Sequence, residues 1–451
     1  MNYLWKNKFN ILLVGFFLLL FCFRLHNAIN FNSYWGYDGG AHLEYIKTVM
    51  QDWRLPTMAE NYLAWHEPGF YFFNALLGWA TQPICQTNFL DCTIKFLQTI
   101  SAFLSLLFVF LVYKTAQKFS SDKKVWLAAV IGGSLISVMT ETTNYLTNEL
   151  LAAFLTTLLI YYFIIFSQKG WNTKRIILMS VLSGAALLTK LSAVIFVLAL
   201  LVWFIYKACY ERKIKWLGYS LLFLVIAGGI YAPWIFYKQK HFGNGLSINI
   251  YEEQINAKGN LSKNFFLHVS GEIFRQPFWM SSKDSFFSVV FADAFSDYYT
   301  IANHVDKNNL EVPDSQKVLT ESGNLVTVKK FQLSILLLYF SLFFVFIFIA
   351  GVLGLFWRWI KSGFRPNINL FFLIFISSSF LALAFNVYKF PFLERGTLKA
   401  SFILSTWPLL MIVGWAWLSM VLKKIKGNFL WLPLGFMMAV WAGLSFAINW
   451  I

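Results

Sequence analysis

Residues 332–357 read QLSILLLYFSLFFVFIFIAGVLGLFW, 26 residues without a charge. A helix that crosses the hydrocarbon core of a bilayer needs about 20 mostly apolar residues, so this stretch is long enough to span. Working outward from it, comparable runs recur near 9–29, 95–118, 125–143, 148–167, 175–190, 192–207, 216–237, 368–388, 398–421 and 429–450. Together they make eleven expected transmembrane helices. One further run, 69–83, is short, and Pro68, Gly69, Gly78 and Pro83 bound or interrupt it. It is expected as a juxtamembrane helix. The composition agrees: of 451 residues, 58% are hydrophobic and only 13% charged, about half the charge of a soluble domain. The expected fold class is an all-α polytopic membrane protein, with 1–451 as a single integral membrane domain.

The net charge of +16 is compatible with a nucleic-acid partner until its distribution is read. With the N-terminus inside, alternate connections hold basic clusters at Lys6 and Lys8, Lys114 to Lys124, Lys169 to Arg175, Lys207 to Lys215, Arg358 to Arg365, and Lys423 to Lys426. These clusters contain 19 of the 37 Lys and Arg residues, against only two acids, Asp122 and Glu211. The other face carries the remaining 18 basic and 19 acidic residues. This is the positive-inside pattern. Basicity here sets topology, and attraction to anionic lipid is secondary. The expected arrangement places the N-terminus in the cytoplasm and the C-terminus outside.

Two connections are long, 30–94 and 238–330, and both are expected on the outer face, where long ordered loops usually carry function. The first apolar stretch lacks an A-x-A-like cleavage site and is expected as an uncleaved first helix. Cys85 and Cys92 lie seven residues apart in the first outer connection, where a disulfide is permitted and not required. In the second connection Phe286–Phe295 is rich in aromatic residues, and Val318–Glu321 and Leu325–Val328 flank Ser322-Gly323-Asn324, a hairpin pattern. There is no internal repeat of the kind many transporters carry.

The first outer connection also holds the densest set of reactive side chains. It reads Tyr34-Trp-Gly-Tyr-Asp38-Gly-Gly-Ala-His42-Leu-Glu44-Tyr45 and continues to Trp65-His66-Glu67-Pro68-Gly-Phe-Tyr71. A helix beginning after Asp38 stacks Asp38 and His42 on one face, with Tyr45 a turn on. On spacing alone Asp38 is either a helix N-cap or a chemical group. His66 and Glu67 are likewise either part of an interfacial turn or part of a site.

The order of first membrane helix, Asp-x-x-x-His-x-x-Tyr-Ile, Leu55-Pro56 and then His66-Glu67-Pro68-x-x-Tyr71 resembles the GT-C superfamily of membrane glycosyltransferases. It is nearest to the branch of protein O-mannosyltransferases and lipid A aminoarabinose transferases. Glu67 departs from the His-Pro-Pro form usual in that branch. The resemblance implies transfer of a hexosyl or pentosyl group from a polyprenyl-phosphate donor to a lipid, glycan or protein acceptor on the extracytoplasmic side, with inversion. The implied setting is a bacterial inner membrane. Consistent with this, the chain has no phosphate-cradling P-loop and no dinucleotide fingerprint.

The resemblance assigns Asp38 as general base, or as the group that orients the acceptor. His42, Glu44, His66 and Glu67 become substrate-binding candidates. Asn148 and Glu149 face the first connection from the next outer turn. Lys190, on the outer side and costly there unless paired, joins Arg395 as a candidate for the donor phosphate, since Arg grips phosphate in a fork and Lys as a point charge; Lys399, four residues beyond Arg395, could share its helical face and is a further substrate-binding candidate. No cofactor is required by this reading; a divalent metal, if used, would gather among His42, Glu44, His66 and Glu67. Two other classes remain in view, a lipid or oligosaccharide transporter or flippase, and an O-antigen polymerase or ligase. A transporter would place polar, broken-helix features near mid-membrane, whereas here they cluster at the outer ends of spans.

Overall fold

The computed structural model describes residues 2–81, 83, 85, 89–251, 261, 263–278, 285–299, 317–319, 325–391, 398–425 and 427–450. Within a bilayer the backbone must satisfy its own hydrogen bonds, and every expected span is helical. In chain order the helices are α1 (Asn2–Asn30), α2 (Gly39–Asp52), α3 (Gly69–Ala80), α4 (Phe89–Phe119), α5 (Lys123–Leu135), α6 (Ser137–Glu141), α7 (Asn148–Lys169), α8 (Thr173–Thr189), α9 (Val194–Glu211), α10 (Lys215–Phe242), α11 (Lys263–Leu267), α12 (Phe286–Phe295), α13 (Val328–Lys361), α14 (Ile368–Lys389), α15 (Thr406–Lys424) and α16 (Trp431–Asn449). Among the described residues nine helices are long and apolar enough to cross a membrane: α1, α4, α7, α9, α10, α13, α14, α15 and α16. The chain is an integral membrane protein.

Several expected boundaries move. The third expected span, 125–143, is two helices: Ile136 takes an extended ψ of 131° and separates α5 from α6. The fifth is the 17-residue α8. α4 begins at Phe89 rather than near 95, so Cys92 stands in its first turn and is joined to Cys85 by a disulfide. α10 runs on to Phe242 and α13 begins at Val328, which shortens the second long connection at both ends. Residues 69–80 form α3, whose 12 residues rise only about 18 Å and fall short of a bilayer core. α3 packs on α2. In the second connection β1 (Lys317–Leu319) pairs antiparallel with β2 (Leu325–Thr327), Val318 opposite Val326; the intervening 320–324 lie outside the described residues.

The helices pair as α4 with α7, α8 with α10, α5 with α15 and α13 with α15. The last pair crosses at two glycines: a Cβ on Gly351 would stand 2.7 Å from the Gly414 Cα. Such close approach replaces the hydrophobic drive that water would supply.

The break at Ile136 leaves helix-end carbonyls without partners, and a buried cation supplies them. Arg24 of α1 is almost fully buried. Its guanidinium donates to the Met139 carbonyl at 3.1 Å, the Ser134 carbonyl and Thr143 Oγ1. Arg24→Leu strands these acceptors, at about 1–3 kcal/mol for each one left unsatisfied. The expected outcome is a large drop in the thermal unfolding midpoint of the detergent-purified protein; an unchanged midpoint would show that the break holds itself.

Candidate active site

The end of the bundle that carries both long connections encloses a cavity of about 1220 Å³. Its polar wall brings together Asp38, His42, His66, Glu67, Asn148, Glu149, Lys190 and Lys399. Of the residues the sequence singled out, Glu44 is not among them. It lies two positions beyond His42 on α2, roughly 200° around the helix, and is half-exposed in an ion pair with Lys47 at 3.4 Å. Arg395 falls among 392–397, outside the described residues.

Asp38 precedes α2 at the N-cap position, but its side chain makes no capping bond. Its backbone is left-handed, φ 60°, a conformation that Asp tolerates better than most residues. The turn that delivers it depends on Gly36, φ 94°, where a Cβ would stand 2.6 Å from the Tyr145 ring. The carboxylate is thereby turned into the cavity. Oδ1 accepts from the Tyr62 hydroxyl at 2.6 Å, and Oδ2 faces Lys399 Nζ at 3.5 Å. Burial raises the Asp38 pKa, but the Lys399 ammonium and the Tyr62 hydrogen bond lead the contributions that outweigh it and hold the carboxyl below its ordinary value. Asp38 is therefore ionised at neutral pH.

Behind Asp38 lies an aromatic and imidazole layer. The Tyr71 hydroxyl sits between His42 Nδ1 at 2.9 Å and His66 Nδ1 at 3.4 Å, so it can donate to one ring and accept from the other. Tyr71 stacks on Tyr45, ring centroids 3.5 Å apart. Burial pushes His42 down to about 4 and His66 well below the usual imidazole range. Both rings are neutral at pH 7. Glu67 is committed elsewhere: Oε1 accepts from Tyr231 at 3.1 Å and Oε2 from the Leu191 backbone at 3.2 Å. It ties the first connection to the turn that presents Lys190. A Cβ on Gly69 would meet the Leu188 carbonyl at 2.7 Å, so this tie is also a close backbone contact.

Lys190 ends α8 and is not left unpaired. Its Nζ donates to Glu149 Oε1 at 2.8 Å and to Asn148 Oδ1 at 3.2 Å, and it lies 4.8 Å from the Phe402 ring centroid. Glu149, in the first turn of α7, also accepts from Ser401 and Thr147. Asn148 Nδ2 is buried with no protein partner and belongs to the cavity wall. Lys399 lies against the Tyr37 ring, 3.0 Å from its centroid, and is held between the two ends of the polar wall.

The four residues considered for a metal do not form a donor set. Glu44 points away, and both Glu67 oxygens are engaged. Among the described residues no group of three or more His, Cys, Asp or Glu is arranged to hold an ion.

Sequence reasoning named Tyr71 in a motif without giving it a role, and it missed Tyr62, Tyr231, Tyr37 and Phe402 as site residues. Tyr231 carried a trace, a hydroxyl within an apolar span. Tyr62 stands 24 residues from Asp38, with no periodicity to link them.

The cavity also has an apolar arm between α9 and α14. Leu198, Leu381 and Phe385 line it and are each more than half exposed at the side of the bundle. The space thus joins a charged head region to the lipid-facing surface.

Residues 90–236 match the family model described as dolichyl-phosphate-mannose-protein mannosyltransferase. No curated protein sequence matches. Among solved structures, the oligosaccharyltransferase of Archaeoglobus fulgidus superposes with a TM-score of 0.54 at 13% identity, covering 100% of this chain and 57% of that one. The same enzyme, AglB, in complex with an inhibitory peptide and a dolichol-phosphate gives 0.53 at 13% identity, over 97% and 55% of the two chains. ArnT of Cupriavidus metallidurans bound to undecaprenyl phosphate gives 0.50 at 13% identity, over 91% and 60%. The chain thus spans a little over half the length of the structures it matches.

Proposed function

For a chain that has the GT-C glycosyltransferase fold, we propose transfer of a glycosyl group from a polyprenyl-phosphate donor to an acceptor at the extracytoplasmic end of the bundle. The observation that carries this reading is one cavity with two kinds of wall: ionised Asp38 paired with Lys399 beside the Lys190–Glu149 pair at its head, and an apolar arm open to lipid. AglB and ArnT have been captured with dolichol-phosphate and undecaprenyl phosphate respectively, which supports a lipid-phosphate ligand here. The positive-inside count supports the outward orientation, and a bacterial inner membrane is the proposed setting.

The roles follow from charge and reach. Lys190 and Lys399 face the donor phosphate as point charges. Asp38 takes the proton of an acceptor hydroxyl as that oxygen attacks the anomeric carbon. The bond from the anomeric carbon to the phosphate oxygen breaks, and polyprenyl phosphate leaves with the electron pair. A single displacement of this kind inverts the anomeric centre. Donor phosphate and Asp38 both call on Lys399, so binding of the donor loosens the ion pair and frees the base. His42 and His66, neutral and hydrogen-bonded through Tyr71, position the first connection rather than carry charge.

Two measurements check this reading. A polyprenyl phosphate bearing a diazirine on its lipid chain, irradiated with the protein in nanodiscs, is expected to label peptides of α9 and α14 around Leu198, Leu381 and Phe385. Labelling confined to other helices would overturn the assignment of the apolar arm. At saturating donor, turnover is expected to show no histidine-like inflection between about pH 5 and 8, because Asp38 stays ionised and both imidazoles stay neutral across that range. An inflection near pH 6.5 that disappears in His42→Gln or His66→Gln would transfer the base role to an imidazole.

A further inference from the structure

The second long connection lines the cavity through Leu246, Ile248, Asn249 and Tyr251, and it also grips the polar wall from behind. Lys399 stands on the backbone Leu398-Lys399-Ala400, and residues on both sides of it are held. Asp293 of α12 accepts the Ala400 N–H at 2.5 Å through Oδ2. Tyr299 donates to the Leu398 carbonyl at 2.5 Å. Trp407 Nε1 donates to the Ala400 carbonyl at 3.0 Å. Asp293 is 3% exposed, and a carboxylate buried to that degree is costly unless it is hydrogen-bonded or paired. α12 is itself fixed to α6, where Ser137 donates to the Phe295 carbonyl at 2.9 Å.

We infer that Asp293 is a positioning residue for the donor phosphate: by accepting the Ala400 N–H it fixes the backbone from which Lys399 reaches the phosphate and Asp38. The inference rests on the reading of Lys399 as a phosphate ligand. The groups facing Asp293 are Lys399 and Glu149 toward the cavity, Glu141 and Tyr145 from the α6 turn, and Asp297 from its own connection. Lys330 faces Asp297 in turn. Burial pushes the Asp293 carboxyl up to about 7, against the opposing pull of the Ala400 hydrogen bond and Lys399. Above neutrality Asp293 is ionised and holds both the N–H and the lysine more strongly; below it the grip weakens. His42 and His66 do not titrate in this interval; burial, Asp297 and Asp293 also push the Glu141 carboxyl well up, and the Asp293→Asn variant separates the two carboxyls.

The test is binding of a polyprenyl-phosphate hexose, a phosphodiester of constant charge, to the full chain in nanodiscs. Lys399→Ala is expected to weaken binding by about tenfold, the scale of one charge-assisted hydrogen bond. Asp293→Ala is expected to weaken it several-fold, and the double variant to bind no worse than Lys399→Ala alone. Additive losses, or an unaffected Asp293→Ala beside a weakened Lys399→Ala, overturn the inference and leave the reading of Lys399 intact. Unchanged binding by Lys399→Ala overturns that reading and the inference with it. Wild type and Asp293→Asn decide the matter if Asp293→Ala fails to fold. Wild-type affinity is expected to fall as pH drops from 8 to 6, while the Asn variant, whose amide oxygen still accepts the N–H, gives a flat profile. A flat wild-type profile, or an Asn profile that parallels it, contradicts the proposal.

Discussion

Asp38→Asn is expected to lower turnover by about 10²–10⁴-fold, the usual contribution of a positioned general base, with only a modest loss of thermal stability from the weakened contact with Lys399. The two halves of this expectation come from one geometry. Asp38 occupies the N-cap position of α2 without capping it, so no helix-end bond is lost. Asn also tolerates the left-handed backbone, and its amide oxygen still accepts from Tyr62. What disappears is the negative charge opposite Lys399 and the capacity to take a proton. A variant that melts early would show that Asp38 serves the fold. One that melts normally and turns over normally would show that Asp38 is no base.

The second large effect concerns the Lys190–Glu149 pair. Both side chains are mostly buried, 13% and 7% exposed, so screening by solvent is slight. Glu149→Leu leaves the Lys190 ammonium buried without its counter-charge, which costs about 3–5 kcal/mol. The double change Glu149→Leu with Lys190→Met removes both charges and is expected to recover most of that stability. Turnover is not expected to return with it, because the phosphate wall has lost a cation. Thermal unfolding and turnover measured on the same three proteins separate the two roles. Recovery of both together would mean that the pair is structural only.

How much of this was legible in the sequence follows from what each feature depends on. The spans were legible because a bilayer leaves a chain few options: apolar length and basic loop ends locate them. The break at Ile136 was not, because Gly132-Gly133 just before it does not by itself distinguish an interrupted span from a continuous one. It is held by Arg24 from a distant helix, across 115 residues to Met139. The site was legible in its parts, and eight of the proposed side chains line one cavity. Its wiring was not. The pairing of Asp38 with Lys399 joins residues 361 apart, and no periodicity carries such a contact. Glu44 was misplaced because chemical type was weighed above helical phase: two residues beyond His42 is the opposite face of α2. The ambiguity of Asp38 between cap and base was a real one in sequence, and it turns on a left-handed backbone at Asp38 that follows Gly36, φ 94°.

The account stands most directly on one measurement. The purified chain is reconstituted in liposomes and offered a panel of polyprenyl-phosphate sugars with candidate lipid, glycan and peptide acceptors. Free polyprenyl phosphate and glycosylated product are then followed by mass spectrometry. The expected result is that wild type converts one donor to polyprenyl phosphate with inversion at the sugar, and Asp38→Asn does not. Donor that is moved between leaflets with its sugar bond intact, equally by both proteins, would contradict the account and identify a transporter.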